Sequence, residues 1–156
     1  MAEFRETPYG AFNFLVELEQ GQGREPKAGF SEVSGLNTEI TVAEYRNGND
    51  PENHVRKLPG IFKSGDVTLK RGIMAALDVW EWIEQTRNGD VEGAKRTVTI
   101  HLLNESRDKT VMSWKLRRAM PIKWTGPTLQ AKGGGDVAME ELVLSVEALD
   151  FGELGA

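Results

Sequence analysis

The chain contains no cysteine and only two histidines in 156 residues. Without cysteine it has no disulfide scaffold, no thiolate metal site and no cysteine nucleophile. It also lacks a basic excess: 19 Lys plus Arg stand against 24 Asp plus Glu, a formal net charge of −5. A dedicated DNA or RNA binder needs a strong basic face, for which an acidic chain is a poor candidate. No apolar run approaches the roughly 20 residues of a membrane span. The start of the chain, with Glu3 and Glu6, has no apolar stretch of the kind a signal peptide carries. The expectation is a soluble, cytoplasmically made protein, one domain over residues 1–156, long enough to bury a core.

Catalytic constellations are missing as well. Neither His54 nor His101 has a His, Asp or Glu at metal-site spacing, and His101 falls on the polar face of an alternating segment. Gly133-Gly134-Gly135-Asp136 is followed by no Gly-Lys-Ser/Thr and opens no helix, so it reads as a hairpin tip and not as a phosphate cradle. Gly21-Gln22-Gly23 fails the dinucleotide pattern, and no Gly-x-Ser-x-Gly elbow occurs. Glu140 and Glu141 are adjacent on a strand and point to opposite faces, so they cannot share a proton. Glu81 and Glu84 read as a solvated helix face. The sequence points to no enzyme, no cofactor and no metal.

What is present is alternation. Period-two patterns mark strands at 11–19 (Phe12, Phe14, Val16 and Leu18 on one side), 38–45 (Ile40 and Val42 against Glu39, Thr41 and Tyr45) and 97–103 (Val98, Ile100, Leu102). Further strands are expected at 30–33, 67–71, 111–116, 119–124 and 138–148. In the last, Leu142, Leu144, Val146 and Ala148 point inward while Glu141, Ser145 and Glu147 point outward. Residues 20–29 read as a turn. Residues 46–60 are polar, aperiodic and closed by Pro59-Gly60, and read as a long projecting loop or loose hairpin. One helix is expected over 73–88, stopped by Gly89. The fold class is mostly β: two packed antiparallel sheets, a sandwich or partial barrel, with one flanking helix.

The helix carries too much apolar surface. Ile73, Ala76, Leu77, Trp80 and Ile83 make the expected core stripe, and Ala75, Val79 and Trp82 widen the apolar arc to roughly 200°, where about 100° suffices. A loop of the same chain could cover the extra face, but the enrichment of tryptophan at interfaces favours the other reading, in which Val79 and Trp82 are candidates to meet another subunit.

In this order the motifs resemble the inner-tube proteins of contractile tails: the tail tube of contractile phages and the tube subunit of extracellular contractile injection systems. The hexameric tube protein of type VI secretion is a more distant likeness. The resemblance is carried by Tyr9-Gly10-Ala11-Phe12-Asn13-Phe14-Leu15-Val16, Phe30-Ser31-Glu32-Val33-Ser34-Gly35-Leu36, Glu44-Tyr45-Arg46-Asn47-Gly48 and Lys57-Leu58-Pro59-Gly60. It continues through Val67-Thr68-Leu69-Lys70-Arg71-Gly72, Trp80 and Trp82, Trp114, Pro121-Ile122-Lys123-Trp124-Thr125-Gly126-Pro127 and the segment from Met139 to Asp150.

The resemblance implies a structural subunit. Hexameric rings would stack into a rigid tube inside a contractile sheath, with inner sheets joining into a β-barrel around a channel. Implied partners are further copies of the chain, the sheath protein, baseplate, spike and tube-initiator proteins, a terminal cap, and a cargo effector or DNA passing through the lumen, all within a phage-tail-like particle or virion. Glu39, Thr41, Tyr45, Glu141, Ser145 and Glu147 are then candidates to line the channel. Arg46, Asn47, Asp50, His54, Arg56 and Lys57 are candidates for contact with the next ring or subunit. Asp78, Glu81 and Gln85 are candidates to face the sheath. Competing readings are a tube-initiating or adaptor ring protein, a monomeric β-sandwich binding module and a small hydrolase.

Overall fold

The computed structural model describes residues 5–18, 29–74 and 77–152. The expected turn at 20–29 lies almost wholly outside these residues, as do Ala75 and Ala76 of the expected helix. The elements are β1 (Phe14–Leu18), β2 (Glu32–Ser34), β3 (Thr38–Tyr45), β4 (Arg56–Ser64), β5 (Val67–Gly72), α1 (Asp78–Arg87), α2 (Val91–Ala94), β6 (Arg96–Leu103), β7 (Thr110–Thr125), β8 (Met139–Ser145) and β9 (Ala148–Phe151). Seven strands form one folded-over antiparallel sheet, and β3 and β4 form a separate two-stranded sheet.

The fold turns on β7. Its first half pairs with β6 and β9, and β6 pairs with β1; its second half pairs with β8, which leads to β5 and β2. Residues 111–116 and 119–124, expected as two strands, are therefore one strand that changes layers. The bend falls at Arg118, a non-glycine residue at φ 52°, where the β6 register also slips. Arg118 is held there by Glu92 and Glu147, each 3.0 Å away. Between the layers lie Val16, Leu18, Val98, Ile100 and Leu116 on one side and Val67, Leu69, Leu142 and Leu144 on the other, all buried. Each follows the alternation of its own strand. Among the described residues β1 and β2 pair on one side only, so the sandwich is open and not a closed barrel.

The strand expected over 138–148 ends at Ser145. The chain turns at Val146-Glu147, where the Glu147 amide donates to the Arg117 carbonyl (3.2 Å), and β9 returns along β7. Glu147 is therefore off the face that carries Glu141 and Ser145, and its carboxylate is taken by Arg118 and Lys95. It is withdrawn as a channel-lining candidate.

The helix also differs from expectation. Gly72 ends β5, and the Ile73 amide still donates to the Ala138 carbonyl (2.9 Å), so residue 73 extends the sheet. Helical geometry starts at Asp78. Val79 and Trp82 are each 1% exposed, whereas Leu77 is 63% and Trp80 40% exposed. The buried stripe is rotated by about one residue, or 100°, from the expected one. Trp82 drives its ring into the core and donates from Nε1 to the Ala94 carbonyl (2.6 Å), seating α2 against α1, and the Arg96 guanidinium covers the ring 4.9 Å from its centroid. Val79 and Trp82 are core residues of this chain and cannot meet another subunit. Neither reading holds as made: the face of Val79 and Trp82 is the one that docks on the core, and the expected core positions Ile73, Leu77 and Trp80 are the exposed ones.

An interior ion cluster locks α1 to the layers. Arg71, 5% exposed at the end of β5, bonds Glu140 of β8 through Nε (2.5 Å) and both Asp78 oxygens (2.5 and 3.2 Å). Trp124 donates to the second Glu140 oxygen (3.2 Å), and Trp80 packs edge-on against Trp124 with centroids 5.1 Å apart. Burial alone would push the Asp78 carboxyl up. The hydrogen bonds and charge of Arg71 outweigh it and hold the group below the ordinary aspartate range.

Two outcomes follow from this packing. Trp82→Ala removes a fully buried ring and its hydrogen bond, and should lower unfolding free energy by about 3–5 kcal/mol in urea titrations. The depressed Asp78 acidity means its stabilising contribution is present above the unfolded aspartate value of about 3.9 and is lost as pH falls toward the lower folded value. The stability gap between the native chain and Asp78→Asn should thus be constant near neutrality and shrink below about pH 4, read from unfolding curves across pH.

Candidate functional site: an exposed two-stranded arm

The feature that departs most from a self-sufficient domain is the β3–β4 hairpin. Every residue of β3 is exposed, as is every residue of β4 but Ser64. The arm leaves the sandwich at Gly35, whose φ of +88° and close approach to the Asp66 carbonyl (a Cβ would lie 2.2 Å away) admit no side chain. Its base is tied by the Asn37 side-chain oxygen accepting from the Gly65 amide (2.8 Å).

Residues 56–60, expected in the projecting loop, belong to β4. Pro59-Gly60 is not a turn but part of a bulge: Ile40 pairs with Phe62 and Val42 with Pro59, leaving Gly60 and Ile61 opposite Thr41. A Cβ on Gly60 would lie 2.8 Å from the Thr41 carbonyl, so only glycine lets the strands approach there. The true tip is 46–55, and it is a built turn. Asp50 and Asn47 exchange hydrogen bonds (3.1 and 3.0 Å), Arg46 reaches the Glu52 carbonyl and Asn53, and Arg56 reaches Asp50 (3.2 Å). His54 bonds Glu52, and the Tyr45 hydroxyl bonds Asn47. The candidate contact residues Arg46, Asn47, Asp50 and His54 thus sit together at the tip, with Arg56 and Lys57 on the adjoining strand.

Residues paired across an antiparallel ladder share a face. One face of the arm carries Glu39 with Lys63, Ala43 with Leu58, and Tyr45 with Arg56. The other carries Ile40 with Phe62 and Val42 with Pro59. On that second face Ile40, Val42 and Phe62 are 49%, 51% and 70% exposed. Contiguous apolar surface of this kind marks an interaction site.

The remaining candidates divide. Glu141 and Ser145 lie on the outer face of β8, Glu141 opposite Lys70 of β5 and Thr125 of β7. Glu39, Thr41 and Tyr45 lie on the arm and not on a sandwich strand. Of the proposed sheath-facing residues, Asp78 is engaged by Arg71. Gln85 is used at both ends, donating to Asp90 (2.8 Å) and accepting from Arg96 (3.0 Å). Glu81 is the exposed one. Sequence reasoning missed the apolar face of the arm because β4 went unread. Phe62, just past Pro59-Gly60, was the available signal.

One constellation has catalytic composition. His101 Nδ1 shares a hydrogen bond with Ser113 Oγ (2.6 Å), and Nε2 lies 3.3 Å from Glu17. Ser113 is 3% exposed and lies under Gly152, whose amide bonds the Ser113 carbonyl (2.8 Å), so no substrate reaches its hydroxyl. Among the described residues no group of three or more His, Asp or Glu is placed to hold a metal. No helix of the described chain is long and apolar enough to cross a membrane.

The sequence profile of the T4-like virus tail tube protein gp19 family matches residues 10–150. The fold is similar to a chain of the sheath–tube complex of an extracellular contractile injection system, PVC, in the extended state. The TM-score is 0.80 at 28% identity over 94% of this chain and 93% of that one. A chain of the PVC sheath/tube terminator gives 0.80 at 29% identity, covering 95% and 99%. Hcp1 from Flavobacterium johnsoniae, at 12% identity, a TM-score of 0.52 and coverage of 92% and 97%, shares the fold alone. A search of curated protein sequences found no match.

The pairing of Glu39 with Lys63 makes the arm testable in isolation from the sandwich. Glu39→Lys would set two cations directly opposite, weakening the arm by up to about 1 kcal/mol. Proteolytic cleavage within 46–55 should rise a few-fold, while the thermal midpoint of the sandwich stays unchanged. A lowered midpoint would mean that this side of β3 packs on the sandwich.

Proposed function

Since the chain belongs to the T4-like tail tube protein family, we propose that it is the repeating subunit of the inner tube of a contractile phage tail or contractile injection system. Copies associate into hexameric rings, and the rings stack into a tube within a contractile sheath. The observation that carries this reading is the arm. A two-stranded hairpin is at best marginally stable alone in water, and this one presents Ile40, Val42 and Phe62 to solvent. A neighbouring copy that covers that face stabilises both the hairpin and the assembly.

Two further features support the reading. The sandwich leaves β1 and β2 each paired on one side among the described residues, and strand edges of that kind invite pairing across subunits. The solved chains at 28% and 29% identity come from sheath–tube and sheath/tube terminator assemblies. The partners are therefore further copies of the chain, the sheath, and the baseplate, initiator and cap at the tube ends. Glu141 and Ser145, with Glu39, Thr41 and Tyr45 of the arm, are the residues proposed to line the channel through which cargo or DNA passes. Glu81 is the residue proposed to face the sheath. The protein acts by assembly and not by catalysis.

Negative-stain electron microscopy of the purified chain across a concentration series tests this. Rings with a central hole, or stacked tubes, are expected to grow with concentration; uniform monomers throughout would overturn the reading. Replacing 46–55 by a two-residue Asn-Gly turn should leave the sandwich's unfolding unchanged and abolish stacking. Ordinary tubes from that variant would remove the arm from the mechanism.

A further inference from the structure

We propose that Asn47 is a self-modification site: its side-chain amide becomes a carboxylate through attack by the Gly48 backbone nitrogen, while the same dipeptide at Asn88-Gly89 is spared by the fold. The site stands independently of the tube-subunit reading.

The chain carries two Asn-Gly pairs in nearly identical local sequence, Arg46-Asn47-Gly48-Asn49 and Arg87-Asn88-Gly89-Asp90. Glycine in second place matters because it has no side chain to shield its nitrogen from the asparagine Cγ. Both asparagines and both glycines are exposed, so access to water does not separate the pairs. Backbone hydrogen bonding does.

At the arm's tip the Asp50 amide donates to the Asn47 carbonyl (3.1 Å), closing a four-residue turn with Gly48 in its second position. Such a turn uses its first carbonyl and its fourth amide and leaves the second amide unused. Among the described residues the Gly48 N–H accordingly has no partner. Asn88 instead stands where the chain leaves α1, and a helix C-terminus orphans carbonyls, not amides. There the Gly89 amide donates to the Thr86 carbonyl (3.2 Å), flanked by bonds from Asn88 to Glu84 (2.9 Å) and from Asp90 to Gln85 (3.2 Å). The attacking nitrogen is free in one pair and occupied in the other.

The Asn47 side chain is arranged to match. The Tyr45 hydroxyl donates to Oδ1, the oxygen on which negative charge gathers as the nitrogen adds to Cγ. Nδ2, which must leave, has no partner among the described residues. In the first step the Gly48 nitrogen gives up its proton and bonds to Cγ, the Cγ–Nδ2 bond breaks, and Nδ2 departs with that proton as ammonia. Solvent water then opens the cyclic imide. Breaking the new N–Cγ bond yields aspartate; breaking the original peptide bond yields isoaspartate. Neither step needs an oxidant or a reductant. Either product sets a new carboxylate beside Asp50, whose Oδ2 already accepts from the Asn47 amide (3.0 Å), and isoaspartate also inserts a methylene into the turn. Ageing of the chain thus changes both charge and loop geometry at the arm's tip.

The test is peptide mapping of dilute full-length chain held at mildly alkaline pH, with isoaspartate identified by isoaspartyl methyltransferase labelling. In the folded chain Asn47 should convert about ten-fold faster than Asn88, whose glycine must first give up a backbone hydrogen bond. In urea the two rates should converge, because the unfolded chain keeps both dipeptides and loses the bonds. Equal rates in the folded chain, or an Asn47 that persists while the unfolded chain converts, would overturn the site. A difference that survives in urea would overturn protection by the fold. Aspartate formed without isoaspartate would overturn attack by the Gly48 nitrogen. Tyr45→Phe should slow Asn47 about five-fold and leave Asn88 unchanged; faster conversion would overturn the part given to the hydroxyl.

Discussion

A guanidinium buried at the end of β5 sets the geometry on which the rest of this molecule depends. Arg71 must be matched by carboxylates because an unpaired buried charge costs several kcal/mol. Its partners come from two other elements, Glu140 from β8 and Asp78 from α1. Satisfying one cation therefore places the helix against the sandwich. Through the bond from Trp124 to Glu140 it also ties down the second half of β7. The stretch between Arg71 and Asp78 has to span from a strand end to a helix start, and Ile73, Met74 and Leu77 are left facing outward along it. The ion cluster is thus an internal device with an external consequence.

The molecule divides into a part that completes itself and a part that does not. Between the layers, buried aliphatic residues and Trp82 form one closed core. The arm has no such core and is held by the β3–β4 ladder and the internally bonded tip. The buried apolar surface therefore resides in the sandwich, while the arm's Ile40, Val42 and Phe62 are left uncovered by the described chain.

Much of the sandwich was legible in the sequence because strand alternation reports burial directly. Val98, Ile100, Leu142 and Leu144 all face the core as their spacing requires. The same parity reaches Arg71, two residues past Leu69, and Glu140, two before Leu142, and so points both charges inward. Alternation failed where the backbone broke its period. Pro59-Gly60 looks like a turn but is a bulge that lets β4 continue past Thr41. The Arg117-Arg118 pair interrupts the pattern of β7 because the chain bends there in a left-handed residue, not because a strand ends. Glu147 was assigned a face by extending an alternation past the turn that ends it.

The mostly-β class, the core faces of the strands, the tail tube family and the lack of metal or cofactor motifs all follow from the order and type of residues alone. Those are local or additive properties: period, composition and motif sequence. Tertiary structure alone decided which side of α1 is buried, that Val79 and Trp82 are internal, and that the arm's apolar face stands clear of its own chain. Each of these depends on which distant residues come into contact. The rotation of a helix about its axis is set by the partner it docks on: Trp82 turns inward because Ala94 and Arg96 receive it, a contact that no pattern within residues 73–88 encodes.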